Sequence, residues 1–346
     1  VPAPPLDSSA RLDDIAALLA GMTPVGSPDL LRISQNPEWQ KFADDFESLY
    51  STRTAPQLEK VAAWASSELG SYATSSAPVF YFFSGPDFLY PATIFPGAAN
   101  YVLCAKEPVG FVPDPGTLSP QELSAGLLNL EHSLDTILNY TYFITEDMKT
   151  DLESSAFTGV LPVLYVFLAR TGKSILSAEN VSLDQSGSLS PGTGGPIPGV
   201  RIRFASPDQT SPQTLYYFST DISNGGVGAG GGLFKFCSAL GIGKSLFKSA
   251  SYLPHYDSFS KIKNFVLQQS NLVVQDDSGI PLNDFNPNRW TIRLFGQYLG
   301  PIEIFKERYQ PDLAELYRIS NPKPVEFGMG YRFRADETAI IVAFRK

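Results

Sequence analysis

The chain has 346 residues, 43% of them apolar and 18% charged, so it has enough apolar material to bury a large core and lacks the composition of a disordered segment. Its formal charge of −9 excludes the basic footprint of a nucleic-acid binder and disfavours docking on anionic lipid. Two cysteines, Cys104 and Cys237, and two histidines, His132 and His255, are too few for a zinc cluster or a histidine-rich metal centre.

Residues 1–75 read as a helical segment. "SARLDDIAALLAGM" carries Leu12, Ile15, Leu18 and Leu19 at helical spacing behind a serine start. In "NPEWQKFADDFESLY", Asn36 is the cap, Pro37 takes the first helical position, and Trp39, Phe42, Phe46 and Leu49 form one face. "APQLEKVAAWASSEL" predicts a third helix. From residue 76 the period changes. "PVFYFFS" (78–84) and "NYVLCAKE" (100–107) are apolar nearly throughout, as strands covered on both faces are. The spacer between them is long enough for a crossover helix, which predicts adjacent parallel strands. "SPQELSAGLLNLEHSLDTILNY" predicts a helix with Ser119 and Glu122 as a capping box. "TEDMKTDLESS" starts another.

Glycine, proline and serine mark two loops, near 183–199 and 224–232. "VRIRFAS" and "TLYYFSTDIS" alternate as strands, "SKIKNFVLQQS" is helical, and "NLVVQDDSG" is a short strand ending in acids. "RWTIRLFGQY" and "TAIIVAFRK" close the chain as antiparallel strands. The expected fold is therefore α/β: a mixed, largely parallel, Rossmann-like sheet over residues 76–346, covered by helices and preceded by the helical segment. No apolar run reaches the ~20 residues of a membrane span. The opening "VPAPPLDSSA" has the small, proline-rich character of a stub behind an export signal or a lipid-bearing cysteine, so export is expected, with a lipid tether as one form of it.

Chemistry is expected where parallel strands end. "SGPDF" puts Asp87 after the first strand, and Glu107 ends the second, where nucleotide-binding folds often set an acid against ribose. Only Gly85 stands in that first turn, whereas a dinucleotide fingerprint needs several glycines. "NGGVGAGGGLFKF" lacks the spacing of a phosphate loop, and "GIGKS" lacks the earlier glycine, so Gly225–Gly232 is expected to be a mobile loop that holds no phosphate. The acids Asp276, Asp277 and Asp284 read either as turn formers or as oxygen ligands for a divalent cation. If there is one pocket, Asp87, Tyr90, Glu107, Lys248 and His255 are expected to line it. Cys104 and Cys237 read as two buried thiols, with a disulfide between them as the alternative.

Several phrases resemble a family of exported bacterial proteins of uncharacterised function: "FYFFSGPDFLYPATIFPGAANYVLCAKEPVG", "FKSASYLPH", "QDDSGIPL", "RWTIRLFGQYLGPIEIFKERYQPDL" and "FGMGYRF". That resemblance covers most of 75–346 and implies a periplasmic or envelope location but no activity. The strand, the turn with Gly85, the helix, the strand ending in Glu107 and the terminal "AIIVAFRK" are more distantly similar to Rossmann-like methyltransferases. That likeness implies S-adenosylmethionine as cofactor, against the missing glycines. The leading expectation is an exported protein binding a small molecule or an envelope partner without a cofactor. A divergent or degenerate methyltransferase-type enzyme comes second. A hydrolase using the strand-end carboxylates comes third.

Overall fold

The computed structural model describes residues 8–83, 85–112, 114–140, 156–227 and 231–346. Its N-terminal part is helical: α1 (Ser8–Leu19), α2 (Pro28–Ile33), α3 (Pro37–Leu49), α4 (Ala55–Leu69) and α5 (Ser71–Thr74). The Asn36 side chain accepts from the Glu38 N–H at 2.8 Å and so starts α3. The strand β1 (Val79–Phe82), the short helix α6 (Leu89–Ile94) and the strand β2 (Asn100–Ala105) follow. Next comes α7 (Pro120–Tyr140), opened by the reciprocal Ser119–Glu122 box. The helix expected from "TEDMKTDLESS" lies outside the described residues. The apolar run "LPVLYVFLAR" is α8 (Leu161–Arg170), buried almost all round.

Beyond α8 the chain forms β3 (Ser174–Leu183), β4 (Leu189–Pro191), β5 (Ile197–Ala205) and β6 (Gln213–Ser219). The loop expected near 183–199 is thus partly a hairpin arm. Asp184 accepts from the N–H groups of Ser186 and Ser188, which folds the turn tightly enough for β4 to pair with β3. Near 224–232, residues 228–230 lie outside the described residues, and Gly232 already begins α9 (Gly232–Ala239). The remainder is β7 (Gly243–Phe247), α10 (Ser260–Gln269), β8 (Ser270–Gln275), β9 (Trp290–Gly296), α11 (Pro311–Ser320) and β10 (Ala339–Arg345).

The strands make one mixed sheet in the order β4-β3-β5-β6-β2-β1-β7-β8-β10-β9. Its middle, β6-β2-β1-β7-β8, is parallel throughout, and β1 and β2 are neighbours as their composition predicts. At one side β5, β3 and β4 add antiparallel strands, and at the other β10 runs antiparallel to both β8 and β9. The period-2 alternation divides the core in two. Val79 and Tyr81 pack with α1, α3, α4, α7 and α8 on one face, and Phe80 and Phe82 pack with α9 and α10 on the other. Both faces are covered, which explains why these strands read as unbroken apolar runs. Cys104 and Cys237 belong to the second face, both buried and both free thiols. Among the described residues no helix is long and apolar enough to cross a membrane.

One buried cation ties the helical segment to the sheet. Lys244 Nζ, on β7, donates to the carbonyl oxygens of Tyr72 at 3.1 Å and Ser75 at 2.9 Å, capping the end of α5. Burial pulls this lysine down from 10.5 to about 7. The unfolded chain binds more protons above that value, so stability is expected to rise as pH goes from about 7 towards 10.5. Urea unfolding across that range should show the rise, and Lys244→Met should flatten it.

Candidate functional site

The parallel strands end on one side of the sheet, and β1 has its successor β2 on one flank and the later β7 on the other. That reversal opens the crevice in which ligands of such sheets sit. The chain leaves β1 through Phe83 and Gly85, both with positive φ, and brings Asp87 back under the strand end. There the Tyr81 hydroxyl donates to Asp87 Oδ2 at 2.8 Å, and the Tyr90 N–H at the start of α6 approaches Oδ1 at 3.4 Å. Lys248 follows β7 directly and crosses the crevice, with Nζ 2.9 Å from Asp87 Oδ2. The two side chains are 1% and 2% exposed, so this ion pair is sealed from solvent. Its cation also lies 4.0 Å from the centre of the Tyr90 ring, within cation–π range.

Burial pulls the Lys248 ammonium below the ordinary lysine value, while the charges of Asp87 and Asp276 act in the opposite direction. Burial and the neighbouring Asp87 together push the Tyr81 phenol well above 10. Asp276, after β8, accepts from the Ser249 N–H at 2.8 Å and from the Ser278 N–H and hydroxyl at 3.0 and 2.5 Å. Its carboxyl is raised by burial and lowered in part by these bonds and by Lys248. A side chain at Gly330, where φ is +82°, would meet Asp276 Oδ2 at 1.9 Å, so the closing turn of the chain fits here only as glycine.

Backbone strain is concentrated at this crevice. Five non-glycine residues among those described have positive φ. Phe83, Ser249, Ser251 and Tyr252 stand at the ends of β1 and β7, and only Asn321, at the end of α11, stands elsewhere. Each such conformation costs on the order of 1 kcal/mol or more and persists where surrounding contacts dictate it. Asp276 and Ser278 supply such contacts, through the Ser249 and Ala250 N–H groups.

The other expected site residues lie in neighbouring networks. Glu107 is buried at the end of β2, where the Tyr217 hydroxyl donates to its main-chain oxygen at 2.9 Å and approaches Oε2 at 3.3 Å. Glu107 is thus linked to β6 through Tyr217. His255 is half-buried beyond β7, edge-on to Tyr252 at 5.1 Å between ring centres. Burial and the positive charge of Arg308 lower it to about 4. The Tyr252 hydroxyl donates to Asp277 Oδ2 at 2.6 Å, and burial beside Asp276 pushes Asp277 up to about 7.

The structure thus brings Asp87, Tyr90 and Lys248 into direct contact, with Glu107 and His255 in flanking networks. It adds Tyr81 and Asp276, whose sequence signatures are those of a core strand and a turn. The acids Asp276, Asp277 and Asp284 do not converge as ligands: they serve the Ser249 turn, Tyr252 and Lys263 respectively. His132 stands exposed on α7. No family model, curated protein or solved structure matches the chain.

Proposed function

We propose that this chain is an exported protein of the bacterial envelope that binds a small molecule or a protein partner, built on a Rossmann-like sheet whose cofactor crevice has been closed by its own side chains. The observation that carries the reading is the Asp87–Lys248 pair, sealed at the point where the strand order reverses. S-adenosylmethionine is a cation, and in a methyltransferase-type sheet it would lie over these strand ends. Here a lysine ammonium occupies that region against the Tyr90 ring, and the Tyr81 hydroxyl shares its carboxylate partner, both tyrosines being at most 2% exposed. The turn after β1 keeps the single Gly85, followed by Pro86, so few backbone amides are free to approach a large ligand. Export and an envelope location rest on the resemblance to exported proteins.

A second reading, a divergent methyltransferase-type enzyme, is favoured by the strand order. Numbered by their own succession, the parallel strands run third, second, first, fourth, fifth, the doubly wound order, and antiparallel β10 lies beyond them. Thermal unfolding with and without S-adenosylmethionine separates the two readings. A ligand at about a hundred times its Kd adds roughly 2.7 kcal/mol to unfolding, an easily seen shift. The binding-protein reading expects none, and a saturable shift would establish the enzyme reading in its place.

A further inference from the structure

We propose that Asp87, Tyr81 and Tyr90 form a binding site for an organic ammonium group, the primary or quaternary amine head of a small ligand, and that Lys248 occupies this site in cis. The inference rests on the reading of the crevice as self-filled and names the ligand chemistry of that site. Three features define a cation receptor rather than a generic polar core. Asp87 presents a carboxylate oxygen 2.9 Å from the ammonium. Tyr90 presents the negative face of its ring at 4.0 Å. Tyr81 donates to the same carboxylate oxygen at 2.8 Å and so fixes its direction without competing as a cation. The Asp276 carboxyl acts on the lysine in the same direction as Asp87, favouring its charged form.

The segment that delivers the lysine also stores backbone strain. Ser249, Ser251 and Tyr252, all within four residues of Lys248, adopt left-handed backbone that favours glycine. Withdrawal of the lysine would relieve this strain only as far as the bonds from the Ser249 and Ala250 N–H groups to Asp276 and Ser278 yield. An incoming ammonium that replaces the charge on Asp87 therefore meets a tethered competitor held in a strained turn. A neutral ligand of the same shape gains the apolar contacts but leaves Asp87 without a cation.

Truncation by Lys248→Ala removes the equivalent of n-propylammonium, which is the first probe. In thermal unfolding of the full chain, n-propylammonium should raise the midpoint of the variant at concentrations at least tenfold below those needed with 1-propanol. The preference should vanish in Asp87→Asn/Lys248→Ala. Equal rescue by the alcohol, or a preference that survives Asp87→Asn, would overturn the site. Where Lys248→Ala does not fold alone, the yield on refolding with either compound gives the same comparison. A second measurement uses the unaltered protein. Tetramethylammonium should eject Lys248 and accelerate its acetylation, mapped by mass spectrometry, while exposed Lys41 and Lys106 are unaffected; neopentyl alcohol should not. Unchanged labelling of Lys248 over a full titration also overturns the proposal. A saturable shift with S-adenosylmethionine would defeat the closed-crevice reading, whereas loss of charge selectivity defeats the ammonium site alone.

Discussion

Lys248→Met is expected to lower the unfolding free energy by ~3–5 kcal/mol, because it leaves Asp87 buried beside two tyrosines with its cation removed. Methionine retains most of the volume of the lysine stem, so the loss reports charge rather than a cavity. The Asp87 carboxyl would retain the Tyr81 hydroxyl at 2.8 Å, which satisfies one oxygen but brings no charge. The double variant Asp87→Asn/Lys248→Met should lose less than the sum of the single losses, with a coupling of about 1–3 kcal/mol, because removing both charges leaves none stranded. Urea unfolding with an unchanged m-value measures both quantities. A loss under about 1 kcal/mol for Lys248→Met would mean that the lysine charge contributes little net stability beside Asp87, and the cation-receptor reading of the crevice would fall with it.

Asp87, Tyr90 and Lys248 could be picked out of the sequence because a topological rule links them. Polar residues that follow apolar strands of a parallel sheet end on the same side of it, however far apart they are in the chain. Tyr81 was hidden by the same physics. It lies in an unbroken apolar run, and only its hydroxyl, projecting past the strand end, enters the site. The strained turn at Ser249, Ser251 and Tyr252 carries no sequence signal, because serine and tyrosine do not advertise positive φ as glycine or asparagine do. The hairpin β3–β4 was concealed for a different reason. β3 carries a bulge between Ile175 and Ser177 and ends in three successive buried residues, so its alternation is weak, and β4 is three residues inside a serine- and glycine-rich stretch. The clue available there was Asp184 two residues ahead of Ser186, a side chain that folds a tight turn by accepting from the N–H groups beyond it.

Replacing His255 with glutamine is expected to steepen a pH dependence that the intact protein shows only in part. Folded Asp277 keeps its proton up to about pH 7, whereas in the unfolded chain it loses it near 3.8. Between those values the folded state binds the extra proton, so this group's contribution to stability falls as pH rises. His255 has the opposite sign: folded, it stays neutral down to about 4, while the unfolded histidine is protonated below 6.5. Its contribution rises with pH across nearly the same window. The two slopes, each up to about 1.4 kcal/mol per pH unit for one whole proton, oppose each other from pH 4 to 6.5. His255→Gln removes the rising slope and should leave stability falling as pH is raised from 4 to 7. Asp277→Asn removes a falling slope and shifts the balance towards stability that rises with pH. Asp276, raised by the same burial, adds to the falling side, and Lys244 acts only above about 7. Urea unfolding at half-unit steps of pH measures each slope. A His255→Gln profile parallel to that of the unaltered protein would show that His255 titrates in the folded state as it does in water, and that its packing against Tyr252 does not exclude solvent.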